Sequence, residues 1–522
     1  MSGCPGLYEA SPEDAVSVEH VRASELNGVY LGVPLLLLME SAGRSVADAI
    51  ECKLGSVKGK SVHILAGKGG NAGDGFVAGR HLALRGAKVV VHLSSRAHEV
   101  THPDARLNLE ALIRAGGVRV LEPGKRGWLD LSTADVIVDA MLGIGVRGAL
   151  RGRIRDMADA MNESGGLRVA IDTPTGLNPD TGEAVEGAVR ADLTVTMGWA
   201  KRGLFMGKAP LYTGEVLVAE IGLPREAEIY AGPGDVIARL PDRPRDAHKG
   251  VGGRVLIVAG SKYYVGAAIL SAGAATRSGV DLVYLSSVKG TAVEAASRFS
   301  SVIPVPYKGD ILSADDIERV VETAAKAHSI LIGPGLGAEE ETLEAVARLY
   351  RELRERWPDK PIVMDADALK AIDRIGELDE LTIITPHRGE ARRLHRKKSS
   401  DDLKAIAEDI AKTIGATVLL KAPHDIICSP RGPCRVNRSG VPAMSVGGTG
   451  DVLSGIVAGF LARRASKGLD PDPLNTAAAA AFLTGLAGEM AYELYGEAMT
   501  ASDVLEVIPK ALTKCRELVT HH

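Results

Sequence analysis

Short apolar runs and amphipathic stretches alternate along most of the chain. In the first half, runs rich in Val and Ile fall at residues 62–66, 88–93, 136–138, 169–171 and 193–196. Stretches with apolar residues at helical spacing, such as 105–115 and 157–163, lie between most of them, and a helix-like run covers 76–86. Apolar runs of this length predict buried strands, and strands alternating with helices predict a mostly parallel sheet covered on both faces. The pattern lapses at residues 223–245, where prolines and charges cluster, which reads as a connection between domains. It then resumes. RVLIVAG (254–260), DLVYLSS (281–287), SILIGPG (329–335), PIVMDAD (361–367), LTIITPH (381–387) and TVLLKAP (417–423) predict strands ending in polar or glycine-rich turns. Alanine-rich helices at 451–464 and 475–495 close the second half.

This pattern predicts an α/β protein of two domains, residues 1–230 and 231–522, each a three-layer α/β/α sandwich. A length of 522 residues suits two large α/β units. With 45% hydrophobic and 25% charged residues the chain is of ordinary globular make-up, and a net charge of −4 gives no general attraction to nucleic acid or an anionic membrane. The apolar run 33–39 is too short to span a bilayer, and no signal peptide opens the chain, so a cytoplasmic protein is expected. Five scattered cysteines form no C-x-x-C pair and indicate neither a zinc site nor a disulfide framework. Cys428 and Cys434 flank a predicted hairpin turn and are read as free thiols in preference to a pair. Glutamine is absent while Arg and Glu abound, a bias compatible with a heat-adapted source.

Three strand ends in the first half carry chemistry. GKGGNAGDG (67–75) fits a G-x-G-x-x-A dinucleotide fingerprint through Gly67, Gly69 and Ala72, yet it places Asn71 and Asp74 in the turn. DVIVDAMLGIG sets Asp139 at a strand end before Gly143 and Gly145, and VAIDTPTGLNPDTG does the same for Asp172 and Thr175. Any one such Asp is as well explained by helix capping. In a doubly wound sheet, however, all three turns share the edge where ligands bind. Oxygen ligands such as Asn71, Asp139 and Thr175 suit an alkali or alkaline-earth cation better than zinc. An NAD site places an acid about 20 residues beyond the glycine loop. Here the second strand ends HLSSR (92–96), and Ser94, Ser95 and Arg96 are residues that suit an NADP 2′-phosphate instead.

These motifs, with LLMESAGRSVA (37–47), resemble those of the NAD(P)H-hydrate epimerases over residues 18–222. The resemblance implies a Rossmann-like domain that interconverts the R and S epimers of NAD(P)H hydrated at C6 of the nicotinamide ring. It implies that the hydrated nucleotide meets Gly70, Asn71, Ala72, Gly73 and Asp74, then Gly143, Ile144, Gly145, Val146, Arg147, Gly148 and Ala149, and Asp172. It also implies a potassium ion held by Asn71, Asp139 and Thr175, with Asp74 or Asp172 as the acid or base. Gly70 and Ala72 stand where the family has Asn and Gly, and Thr175 where it has Ser.

In the second half, VGGTGDVLSGIVAGF (446–460) sets a glycine loop before a helix, with Asp451 at its start. A backbone cradle for an anion beside a placed base is what phosphoryl transfer to an alcohol requires. IGPGLG (332–337), VMDADAL (363–369), TPHRGE (385–390) and LLKAP (419–423) precede it, each at a predicted strand end. Together with GSKYYVGAA (260–268) they resemble the ribokinase-like, ADP-dependent NAD(P)H-hydrate dehydratases over residues 245–515. That resemblance implies substrate contacts from Ala267, Gly335, His387 and Asp451. It further implies nucleotide contacts from Lys421, Ala422, Pro423, His424, Asp425 and Gly450, and use of Mg²⁺ and ADP. KAPHD (421–425) replaces the family's usual K-G-x-x-T. A homo-oligomer acting on small molecules is expected, with no nucleic-acid or membrane partner. The competing expectation is a ribokinase-like kinase of a small vitamin alcohol carrying an NADP-binding accessory domain.

Overall fold

The computed structural model describes residues 4–143, 148–240, 250–395 and 401–520. The chain forms two compact units, Met1–Pro224 and Arg225–His522. Among the described residues no helix is long and apolar enough to cross a membrane.

The first unit is built on eight strands: β1 Leu7–Glu9, β2 Ser61–Ala66, β3 Lys88–Leu93, β4 Arg119–Leu121, β5 Val136–Ala140, β6 Leu167–Ile171, β7 Leu193–Met197 and β8 Glu215–Ala219. They lie in the order β1-β8-β7-β6-β5-β2-β3-β4, all parallel except β1 against β8. The order reverses between β2 and β5, the switch point at which a doubly wound sheet opens a crevice at its carboxyl edge. Side chains alternate across the sheet. Val62, Ile64 and Ala66 join one core with the helices Leu35–Leu54 and Gly70–Leu84, while Leu65 and Ile137 join a second on the other face. The strands missing from the sequence pattern are β1, β4 and β8. Two of these have only three residues, too few for a periodic signal.

The second unit has nine strands: β9 Arg254–Val258, β10 Leu282–Ser287, β11 Val302–Pro306, β12 Ser329–Ile332, β13 Ile362–Met364, β14 Thr382–Ile384, β15 Thr417–Leu420, β16 Asp425–Cys428 and β17 Cys434–Asn437. Their order is β11-β10-β9-β12-β13-β14-β15-β16-β17, parallel through β15 and antiparallel in the last two. Val255 and Ile257 face one core, Leu256 and Val258 the other, so here too helices cover both faces.

Two expectations are corrected. The segment 223–245 is not a free connection, for Glu226–Ile229 and Pro233–Arg239 are helical and belong to the second unit. Arg435, from β17, pairs with the buried Asp235 at 2.5 Å and donates to the carbonyls of Glu228 and Tyr230 at 2.9 and 3.0 Å. Residues 241–249 lie outside the described residues. The second correction concerns the thiols. Cys428 and Cys434 are disulfide-bonded, because the hairpin register sets them directly opposite with Cα atoms 4.2 Å apart. Cys4 and Cys52 are bonded as well, and Cys515 is free and buried.

Candidate functional site

In the first unit, β2, β5 and β6 lie side by side, so their polar ends converge. The helix after β2 begins at Gly70, six residues before the apolar run that predicted it, because glycine masks its first turns in sequence. Asn71 and Asp74 are therefore helical. Gly67 admits the chain from β5: its N–H donates to Ala140 at 3.0 Å, and a Cβ there would fall on the Met141 carbonyl oxygen. Gly43 does the same for the preceding helix, since a Cβ would lie 2.5 Å from the carbonyl oxygen of Asp74.

Asp139, Thr175 and Asn71 meet around Leu142. The fully buried Asp139 carboxylate accepts from the Thr175 hydroxyl and amide, both at 2.7 Å, and from the Met141 amide at 3.1 Å. The Leu142 amide donates to the Thr175 oxygen at 3.1 Å, and Asn71 Nδ2 donates to the Leu142 carbonyl at 3.4 Å. Burial pushes the Asp139 carboxyl up to about 6, against those hydrogen bonds. Among the described residues no basic side chain offsets its charge, and hard oxygens surround it, so the group fits a monovalent cation.

Asp172 stands at the end of β6 with a φ of 64°, a strained conformation for a residue with a side chain. Its Oδ1 accepts from Lys201 Nζ, from the Met197 amide at 3.2 Å and from the Thr196 hydroxyl at 3.4 Å. Its Oδ2 has no partner among the described residues. Lys201 is only 1% exposed and also donates to the Met197 carbonyl at 3.2 Å. Burial drives Asp74 well above the usual carboxylate range, and the charges of Asp172 and Glu25 add to it while Lys201 opposes. Burial likewise carries Glu25 to about 7, with Lys201 opposing and Asp172 adding. Three carboxylates thus gather about the Lys201 ammonium, with Arg22 also opposing at Glu25.

Among the other residues expected here, Ala72 is fully buried in the core and Gly73 packs on Met39, so only their backbone faces a ligand. A Cβ on Gly143 would lie 3.6 Å from that of Asn71, while Gly148 and Ala149 are exposed. Ile144, Gly145, Val146 and Arg147 lie outside the described residues. Of Ser94, Ser95 and Arg96, Ser94 alone lines the 560 Å³ cavity beside β2 and β3; the Ser95 hydroxyl donates to the Arg96 carbonyl at 3.2 Å.

In the second unit, a cavity of 950 Å³ is lined by His387, by Lys421, Ala422, Pro423, His424 and Asp425, and by Gly450. The bridge between His387 and Lys421 aligns the two loops, and Lys421 Nζ lies across the start of the helix Thr449–Ala465. A Cβ on Gly450 would be 3.1 Å from that nitrogen. Lys421 Nζ is 2.8 Å from Oδ1 of the buried Asp365. Asp451, in the helix's first turn, is carried to about 7 by burial, with Asp365 and Asp367 adding and Lys421 opposing. Gly335, at a φ of 65°, abuts Ala267: a Cβ there would lie 3.0 Å from the alanine methyl. These two and Asp451 do not line the 950 Å³ cavity. His387 Nδ1 accepts from the amides of Gly389 and Glu390 at 3.0 and 3.3 Å, capping a short helix.

Residues 36–203 match the family model described as YjeF-related protein N-terminus, and residues 255–510 match that of NAD(P)H-hydrate dehydratase. A bifunctional NAD(P)H-hydrate repair enzyme from Hyperthermus butylicus is 42% identical over 513 residues, covering 95% of this chain and 92% of its own. The chain belongs to the bifunctional NAD(P)H-hydrate repair enzymes. The family member from Methanothermobacter thermautotrophicus is 40% identical and covers 98% of both chains. Among solved structures, a ribokinase-like superfamily protein from Enterococcus faecalis is 25% identical with a TM-score of 0.48, covering 55% of this chain and 95% of that one.

In this member of the family, several residues at the sites carry no sequence signal. Lys201 and Glu25 are far in sequence from the motifs they join. Asp365 and Asp367 sit in VMDADAL, a motif visible in sequence but without an assigned pair. Asn437 closes the cavity, donating to Asp425 Oδ2 at 3.0 Å while the Ala422 amide reaches Oδ1 at 3.0 Å. The Asp that replaces the family's Thr therefore ties the lysine-bearing turn to β17.

Proposed function

We propose that the first unit epimerises R- and S-NAD(P)HX and the second dehydrates the S form to NAD(P)H, with ADP converted to AMP and phosphate. The observation that carries this reading is the full-length relationship to repair enzymes whose two family models fall one in each unit. A kinase of a small vitamin alcohol gives no reason for that first unit.

Inverting C6 of a hemiaminal requires its C–O or C–N bond to break, leaving a planar carbon, and to re-form on the opposite face. A proton is given to, and taken back from, the heteroatom that departs and returns. Asp172 offers Oδ2 for that, with Oδ1 held by Lys201, Met197 and Thr196. Glu25, carried to about 7 by burial, supplies a protonated partner near neutral pH, and burial shifts Asp74 in the same direction. Asn71, Asp139 and Thr175 would hold a potassium ion, which when bound neutralises the buried Asp139.

In the second unit, Asp451 takes the proton of the C6 hydroxyl, whose oxygen attacks the terminal phosphorus of ADP. AMP leaves with the electrons of the broken P–O bond. The phosphate ester then departs from C6, pushed by the ring-nitrogen lone pair, and loss of a proton from C5 restores the dihydronicotinamide. Lys421 and the amides at the start of the Thr449–Ala465 helix hold the phosphates. Mg²⁺ accompanying the nucleotide supplies further charge neutralisation. The test is recovery of reduced-nicotinamide absorbance from mixed NADHX epimers, with ADP or ATP given separately and K⁺ and Mg²⁺ present. Full recovery with ADP is the expected result. Recovery that halts at the S fraction removes the epimerase assignment, and none at all removes both.

A further inference from the structure

A cavity of 560 Å³ beside β2 and β3 has no part in the proton chemistry above. Two helices start at it: Gly70–Leu84, with Gly69 as N-cap, and Gly152–Glu163, with Arg151 as N-cap. Neither receives a side-chain cap, so their first amides are open to an anion. Lys68, Arg151 and Arg153 line the same space. The carboxylate nearby is Glu99, 3.9 Å from Lys68 Nζ and already accepting from the Arg96 amide at 2.9 Å.

Ser94 points to what the cavity takes. It is the first residue beyond β3, the second strand in the dinucleotide-binding order, and it is 8% exposed. Its carbonyl accepts weakly from Arg153 at 3.4 Å, and its hydroxyl has no hydrogen-bond partner among the described residues. At that position an NAD-binding fold carries an acid for the ribose 2′-hydroxyl, whereas arginine beside a small polar residue accommodates a 2′-phosphate. Three cations, two helix starts and an unengaged hydroxyl match a phosphate dianion.

We propose that this cavity binds the 2′-phosphate of the hydrated dinucleotide, so that the epimerase prefers NADPHX over NADHX. The inference rests on the epimerase reading and adds its substrate class. The other anion that suits such a cavity is the pyrophosphate, which both substrates share.

The experiment compares kcat/KM for epimerisation of NADPHX and NADHX by the full-length enzyme and by Arg153→Ala and Lys68→Ala, both at exposed positions that tolerate truncation. The expected result is a loss for NADPHX exceeding that for NADHX by about tenfold or more. Equal losses assign the cavity to the pyrophosphate, and no loss empties it of function; either overturns the proposal. Calorimetric titration of NADP⁺ and NAD⁺ into the same proteins gives a readout without turnover. If the wild type epimerises neither substrate, a selective loss of NADP⁺ binding in Arg153→Ala keeps the cavity assignment while the epimerase reading falls. Unaltered NADP⁺ binding then overturns both.

Discussion

Lys201 donates to Oδ1 of Asp172, as do the Met197 amide and the Thr196 hydroxyl, so one oxygen of this carboxylate is engaged and the other has no partner among the described residues. A base anchored through a single oxygen keeps its direction without losing its lone pairs on the working side. Asp172→Asn removes the proposed base with little change in shape, and epimerisation is expected to fall by about 10²-fold or more. Lys201→Met leaves the geometry loose and lowers kcat more than it raises KM. Both are read from the rate at which the R epimer becomes available to a dehydratase.

Burial pushes Asp451 up to about 7, so with Asp451 as the proposed base, dehydratase kcat/KM is expected to rise with pH through that value. Asp365→Asn removes a neighbouring negative charge and moves this limb to lower pH, whereas Lys421→Ala moves it higher. The stability sign is opposite to that of an ordinary paired carboxylate. A folded pKa raised from 3.8 to about 7 means stability present at low pH and lost as pH rises across that interval. Asp451→Asn escapes this loss, which chemical denaturation at several pH values measures.

Thr175 orients Asp139 through two bonds of 2.7 Å and touches the Leu142 carbonyl. Thr175→Val is expected to raise the K⁺ concentration for half-maximal epimerisation by about tenfold or more. Thr175→Ser keeps the hydroxyl and restores the wild-type value. Full activity in the absence of any alkali cation would remove the cation from this site.

Gly43 lets the Leu35–Leu54 helix lie against the first turns of the Gly70–Leu84 helix, which bears Asp74. Gly43→Ala costs about 1–3 kcal/mol of stability through overpacking. It also depresses epimerisation, while the dehydratase reaction, assayed on S-NADHX alone, continues.

The Cys4–Cys52 bond spans 48 residues of the first unit. Closing such a loop constrains the unfolded chain by about 4 kcal/mol. Cys52→Ser is therefore expected to lower the unfolding temperature of that unit, and a reducing agent to do the same to the wild type. Disulfides of this kind are rare inside mesophilic cells and common in heat-adapted ones.

The strand ends were legible because their residues act locally: a glycine turn, an Asp and a hydroxyl within a few positions announce a crevice wherever parallel strands share an edge. Helix 70–84 was harder to see at its start, since glycines carry neither propensity nor periodicity. Lys201 was invisible for a different reason. A lysine followed by Arg202 looks like part of a solvated basic pair until the fold buries it beside Asp172, 29 residues away in sequence. The docking of 225–240 depends on Arg435 and Asp235, 200 positions apart, and no local pattern encodes such a pair. The Cys428–Cys434 bond depended on the register of two four-residue strands, which only the formed hairpin defines.

The partial ionisation of Asp451 also couples nucleotide occupancy to the proton balance of the solution. A polyphosphate at the start of the Thr449–Ala465 helix brings negative charge beside a carboxyl poised at about 7. Like charge raises proton affinity. ADP binding without metal near neutral pH accordingly draws a fraction of a proton from the buffer, and its apparent heat varies with the buffer's ionisation enthalpy. By reciprocity, acidification tightens ADP at this site. Mg²⁺ bound with the nucleotide would supply positive charge that offsets this effect and favours the ionised carboxylate.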